Sequence, residues 1–141
     1  MMRTENRGFF SIDALFAVTL LLIISTSFLN LYEGRKAEAE LMEARLEAKI
    51  VGERLAAAIN TVYANGSSFE LYVDLPENIE SYFYQITFDN TTRQISVENS
   101  AWGAASVVVA CKNVQNFVLG SDNLNTIRVY WVENQIKVVN A

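Results

Sequence analysis

The hydrophobic and polar positions divide this sequence into three sections. Residues 14–32 carry no charge, and residues 33–64 repeat apolar positions three and four apart, as an amphipathic helix does. After Ser68, apolar and polar residues alternate, which is typical of β-strands. The pattern predicts an α+β protein in which a long N-terminal helix packs on a small antiparallel β-sheet or β-sandwich.

The uncharged section is long enough to cross a membrane. As a helix, the residues from Ala14 to Tyr32 span roughly 28 Å, close to the hydrocarbon thickness of a bilayer. Asp13 stands at the start of this section. An unpaired carboxylate in lipid costs about 2.5 to 3.5 kcal/mol, so we expect Asp13 to have a cationic partner.

The second section predicts that the helix continues and presents one apolar face. Its main apolar positions are Ala37, Leu41, Ala44, Ala48, Val51, Leu55, Ala58 and Val62. A second row, Met42, Leu46 and Ile50, is expected to broaden the stripe that packs on the sheet.

No proline interrupts the chain before Pro76, so one helix is predicted from about Phe10 to Ala64. Asn65-Gly66 supplies its C-terminal stop. Gly34 and Gly52 are expected to be its weak points, each costing about 1 kcal/mol relative to alanine.

The third section predicts seven strands with short connections, which makes antiparallel pairing the default. Asp89–Thr92 and Glu133–Gln135 are expected to be turns. The predicted strands are Phe69–Leu75, Ser81–Asp89, Arg93–Glu98, Ala105–Cys111, Asn116–Leu119, Thr126–Glu133 and Gln135–Val139.

The residues before the uncharged section form a motif. Arg3 and Arg7 make a short basic leader, Gly8 precedes the apolar Phe9, and Asp13 is the fifth residue counted from Phe9. This arrangement resembles the type IV pilin family, in which the acid is usually glutamate. The likeness covers about the first third of the chain, and the rest shares only the general plan of a long helix followed by a β-rich head.

The resemblance implies that a membrane prepilin peptidase cuts after Gly8. Gly8 is expected to break any helix there, which would present an extended backbone to the peptidase. The new amine of Phe9 would be mostly charged at neutral pH. It could pair with Asp13 of its own or a neighbouring subunit and set the register of assembly.

The same resemblance implies a domain layout and a location. Residues 1–8 would be the leader, 9–32 the transmembrane and filament-core segment, 33–66 the amphipathic continuation and 67–141 the head. Before assembly the N-terminus would be cytoplasmic and the head outside. The implied partners are the membrane, the pilus assembly machinery and other pilin-like subunits in a homo- or hetero-oligomer.

Two Asn-x-Ser/Thr sequences, at Asn65 and Asn90, are candidate sites of N-glycosylation. Surface sugars would fit an archaeal pilin. A bacterial pseudopilin remains open.

Other functions of the N-terminal section also remain open. The chain could be a membrane-anchored accessory protein that does not polymerise, with a β head that binds an envelope layer or an archaellum motor. Alternatively, the apolar run from Ala14 to Ile24 could be a secretion signal cut after Ser27, which would release a soluble binding protein.

Composition narrows the function further. The net charge of −5 disfavours nucleic acid, which requires a basic footprint. There is no histidine, and no phosphate-binding loop or nucleophile motif, so neither an enzyme nor a cofactor is expected. The single Cys111 is predicted to be buried. A calcium site at Asp122 stays open, and Trp102 is the best candidate for an exposed aromatic.

Overall fold

The computed structural model describes the backbone of residues 5–120 and 124–141, and the side chains of residues 11–120 and 124–141. These residues form one helix and seven strands. The chain divides into two compact units, one ending at Ala39 and the other comprising Glu40–Ala141. The second, here called the helix–sheet unit, contains all seven strands.

Helix α1 comprises Glu5–Asn65 and ends where the sequence predicts. Gly66 has a φ angle of +88°, a left-handed conformation that favours glycine. Its N–H donates to the carbonyl of Val62 at 3.2 Å. At the other end, the backbone of Gly8 is helical. The expectation that Gly8 breaks the helix was therefore wrong, because one glycine costs only about 1 kcal/mol within a helix.

All seven predicted strands are present, with shifted ends. They are β1 Glu70–Asp74, β2 Gln85–Asp89, β3 Gln94–Asn99, β4 Gly103–Val108, β5 Phe117–Leu119, β6 Thr126–Val132 and β7 Gln135–Asn140.

The largest difference from the prediction is at β2, whose expected first half forms a tight turn instead. Ile79 and Tyr82 exchange backbone hydrogen bonds around Glu80 and Ser81, whose φ angles are 47° and 67°. This turn leaves Tyr82 exposed, whereas Tyr84, two residues later, is buried.

The strands form two antiparallel sheets, ordered β1-β6-β7 and β4-β3-β2-β5. Ile136 of β7 links them. Its N–H donates to the carbonyl of Asn113 at 2.7 Å, and its carbonyl accepts from the N–H of Gln115 at 2.9 Å. The segment before β5 therefore occupies the side of β7 that β6 leaves free.

The core of the helix–sheet unit lies between the sheets and one face of α1. Six of the eight predicted helix positions are buried, whereas Ala37 and Leu41 are exposed. The sheets contribute alternating residues such as Ile86, Ile95 and Ile127, each fully buried. Alternate burial is what period-two strands with one covered face produce.

Trp102 corrects another expectation, because it is only 1% exposed. Its carbonyl accepts a hydrogen bond from Nε of Arg45 at 2.6 Å. Gly103 follows with a φ angle of +92°, a conformation that a bulkier residue rarely adopts. The turn before β4 thus directs the indole into the core.

Gly52 is a contact point between α1 and β4, and not simply a weak point of the helix. A Cβ atom at Gly52 would lie 2.9 Å from Cγ2 of Val107 and 3.6 Å from Cγ2 of Val97. Ordinary carbon contacts are about 3.5–4.0 Å. The missing side chain therefore allows the helix and the sheet to approach closely.

Candidate assembly surface

Residues 14–32, here called the apolar segment, lie within α1 with every side chain exposed. Leu15 is 69% exposed and Phe28 is 67% exposed. The helix is long and apolar enough to cross a membrane, a property that a signal sequence shares. Such an exposed apolar surface is stable only against lipid or other apolar helices.

Three hydroxyl groups of the apolar segment are satisfied within the helix itself. The Oγ atoms of Thr19, Thr26 and Ser27 each donate to the carbonyl four residues earlier, at 2.8 Å. These side chains therefore need no external partner, and they do not oppose burial in lipid.

Asp13 is the one charged residue between Ser11 and Tyr32, and its side chain is exposed. Across residues 11–120 and 124–141, the single ion pair joins Arg128 to Glu70, so no described cation neutralises Asp13. The side chain of Phe9 and the leader residue Arg3 lie outside the described part. Cleavage at Gly8 and pairing with Asp13 therefore stay predictions.

The outer row, defined as Met42, Leu46 and Ile50, corrects the sequence analysis. These side chains are 58%, 63% and 54% exposed, so they do not widen the stripe beneath the sheets. Glu43, Lys49 and Glu53 lie on the same exposed part of the helix. The helix–sheet unit thus carries an uncovered apolar row on the side of α1 that the strands do not reach.

The two candidate glycosylation sites are exposed, as their positions in turns suggested. Asn65 is the last residue of α1, and its Nδ2 donates to the carbonyl of Thr61 at 2.7 Å. Asn90 lies in the β2–β3 turn, where its backbone N–H donates to Oδ1 of Asn116 at 2.7 Å. Modification of either site stays a prediction.

The outer face of the β1-β6-β7 sheet carries a polar cluster that the sequence analysis missed. Nε of Arg128 donates to Glu70 at 3.0 Å, and its guanidinium carbon lies 4.3 Å from the ring centroid of Tyr130. The hydrogen bond that Arg128 donates to the carboxylate of Glu70 raises the pKa of Arg128. The available signal was the alternation of polar residues along both strands, but pairing between strands far apart in sequence cannot be read from it.

Metal-ligating side chains do not cluster in the described part of the chain. No group of three or more His, Cys, Asp or Glu side chains among them could hold a metal, and Asp122 lies outside the described part. Cys111 is buried, as predicted, and burial raises the pKa of its thiol. A thiol in this state is a poor nucleophile near neutral pH.

Comparisons with protein-family models, curated proteins and solved structures return no match to this chain. The likeness to a family is therefore one of architecture. A long N-terminal apolar helix packed on antiparallel sheets is a pilin-like arrangement.

Proposed function

We propose that this chain is a type IV pilin-like structural subunit. A prepilin peptidase cuts it after Gly8, and the apolar segment then assembles with those of other subunits into a cell-surface filament. The observation that carries the proposal is the apolar segment itself, which is exposed throughout and continuous with the helix of a folded β-rich unit.

The outer row supports assembly over simple anchoring. Full burial of one large aliphatic side chain contributes about 1.5–3 kcal/mol. Met42, Leu46 and Ile50 retain more than half of their exposure, so covering all three is worth roughly 3–5 kcal/mol. An anchored monomer would leave the outer row exposed, whereas packing between subunits would bury it and gain this free energy.

Asp13 would provide specificity in this assembly. Its carboxylate has to be neutralised when apolar helices surround it, because an unpaired buried charge is strongly unfavourable. The amine that cleavage creates on Phe9 is the cation that the resemblance supplies. Pairing between copies would favour one axial offset of the helices over others.

Two alternatives use the same sequence plan. A non-polymerising adaptor would keep the apolar segment in the membrane of the cell. A secreted protein would be cut after Ser27, but Ser27 lies inside a continuous helix with its hydroxyl bonded to Ile23. Helix α1 includes Gly8 as well, so cleavage at either site requires local unwinding, and the helix does not separate the two forms.

N-terminal sequencing of natively extracted protein tests the proposal. A first residue of Phe9 supports processing, Met1 indicates an uncut anchor, and Phe28 indicates secretion. Shearing then separates a filament subunit, which is released from cells, from an adaptor, which stays with them.

Substitution of Asp13 tests the assembly step. Asp13→Ala should insert and be cleaved normally but yield little sheared filament, because the amine then loses its partner. Asp13→Glu is the matched control, since it keeps the charge and restores the family's usual residue. Filament yield equal to wild type in Asp13→Ala would refute the pairing.

A further inference from the structure

Strand β4 is an unguarded edge of its sheet. It pairs with β3 on one side and ends the order β4-β3-β2-β5 on the other. Its sequence, Gly-Ala-Ala-Ser-Val-Val, contains neither charge nor proline. Natural edge strands are usually protected by such residues, because unpaired backbone groups invite another strand.

The hydrogen-bond pattern identifies which backbone groups of β4 are open. Val109 donates its N–H to the carbonyl of Arg93 at 2.8 Å, and antiparallel ladders alternate bonded pairs every two residues. Residues 103, 105 and 107 therefore face β3. Ala104, Ser106 and Val108 point their N–H and C=O groups away from it.

The unpaired part of this edge begins at Ala104, because the carbonyl of Trp102 already accepts a hydrogen bond from Arg45. The three outward residues offer three donors and three acceptors. Val108 is 63% exposed, and Ala104 and Ser106 are exposed as well. Nothing bulky on these residues obstructs an approaching strand.

Strand β1, an edge of the other sheet, is guarded in the ways that β4 is not. Leu75 donates to Asn125, so by the same alternation Glu70, Tyr72 and Asp74 face outward. Two of these three carry charge, and Nη1 of Arg54 donates to the outward carbonyl of Asp74 at 3.3 Å. Of these two edges, β4 is the one open to strand addition.

We propose that β4 pairs antiparallel with β4 of a second copy, centred on Ser106, with Ala104 opposite Val108 of the other copy. The strand is self-complementary in this register, because its three outward residues are small or aliphatic and no like charges meet across the seam. Exchange of three donors and three acceptors satisfies both edges.

The direction of β4 defines how the two copies are oriented. Arg45 contacts Trp102, and Gly52 lies against Val107, so β4 runs alongside this part of α1 in the same direction. Antiparallel pairing therefore sets these helix parts in opposite directions. The contact lies within the helix–sheet unit, and it does not depend on filament formation.

Disulfide trapping of the full-length chain in detergent tests the pairing. Ser106→Cys should form a covalent dimer under mild oxidation, because paired Cα atoms about 5.5 Å apart permit a disulfide. Ser96→Cys is the matched control. It shares the outer sheet face with Ser106, but in the dimer two copies would hold it roughly 14 Å apart. We expect about tenfold less dimer from Ser96→Cys.

Two further variants test the register. Ala104→Cys and Val108→Cys should link when mixed, and neither should link alone, since like positions would be roughly 13 Å apart along the strands. Linking of Ala104→Cys to itself would indicate parallel pairing and overturn the proposal. So would a Ser106→Cys dimer yield no greater than that of Ser96→Cys.

A blocking variant tests whether the seam itself carries the contact. Ser106→Lys adds a charge at the seam and should abolish the Ala104–Val108 link, while Ser96→Lys should preserve it. Persistent linking in Ser106→Lys, with the fold verified by tryptophan fluorescence, would refute the pairing. Asp13→Ala should leave the link unchanged, so failure of filament assembly and failure of this contact are distinguishable.

Discussion

Replacing Gly52 by alanine tests how closely α1 approaches β4. The added Cβ would lie 2.9 Å from Cγ2 of Val107, well inside ordinary contact distance. Overpacking a core costs about 1–3 kcal/mol, whereas alanine improves helix propensity by about 1 kcal/mol. We therefore expect Gly52→Ala to destabilise the helix–sheet unit by about 1 kcal/mol.

A double-mutant cycle isolates the steric contribution. Val107→Ala removes the atom that the new Cβ would meet, so adding Gly52→Ala to that variant should stabilise the protein by about 1 kcal/mol. The sign of the Gly52→Ala effect thus reverses between backgrounds. Gly34→Ala is the matched control, because no heavy atom lies within 4 Å of its Cβ position.

Urea unfolding in detergent, followed by tryptophan fluorescence, measures these effects. Both tryptophans, Trp102 and Trp131, belong to the helix–sheet unit, so the signal reports its unfolding. Gly34→Ala should leave this transition unchanged. If Gly52→Ala stabilised the unit equally in both backgrounds, the close approach of helix and sheet would be refuted.

Three other predictions concern the outer row, the buried thiol and a buried hydroxyl. Leu46→Glu should reduce the yield of sheared filament severalfold without changing urea unfolding, while Lys49→Glu should change neither the yield nor the unfolding. Equal filament yields in the two variants would exclude the outer row from assembly. Cys111 should react with a maleimide far more slowly in the native state than in urea, because the thiol is buried and its pKa is raised, and equal rates would contradict its burial. Burial also raises the pKa of Tyr84, so the folded state resists its ionisation and the free energy of unfolding should fall as pH rises above about 10. Tyr84→Phe removes the hydrogen bond to the carbonyl of Pro76 and should lower the free energy of unfolding by about 1 kcal/mol at neutral pH. If the free energy of unfolding of this variant still fell as steeply above about pH 10, other groups would be the cause.

The sequence predicts the elements of this fold well, because its periods are local signals. The end of α1 at Gly66 and all seven strands follow from residue type and spacing. The error at Ser81–Asp89 has a local cause as well: Glu80 and Ser81 adopt positive φ angles that neither residue type favours. A turn formed against local preference leaves no sequence signal.

Contacts between distant parts of the chain were not predictable in the same way. The pairing of Glu70 with Arg128 joins strands that lie next to each other only in the folded sheet. The carbonyl of the buried Trp102 accepts a hydrogen bond from Arg45, which lies 57 residues earlier. Periodicity assigns a residue to one face of an element, but the partner of that face is determined by the topology.

The two apolar rows of α1 illustrate this limit and also what residue size adds. Helical spacing describes the covered row and the outer row equally well, so spacing cannot tell which row the sheets cover. Size separates them: the covered side includes Ala44, Ala48 and Gly52, whereas the outer row consists only of large side chains. Small residues on the helix allow the backbones to approach closely where the facing strand carries a larger side chain, as Val107 does opposite Gly52. In the proposed assembly, the large residues left uncovered would instead pack against another subunit.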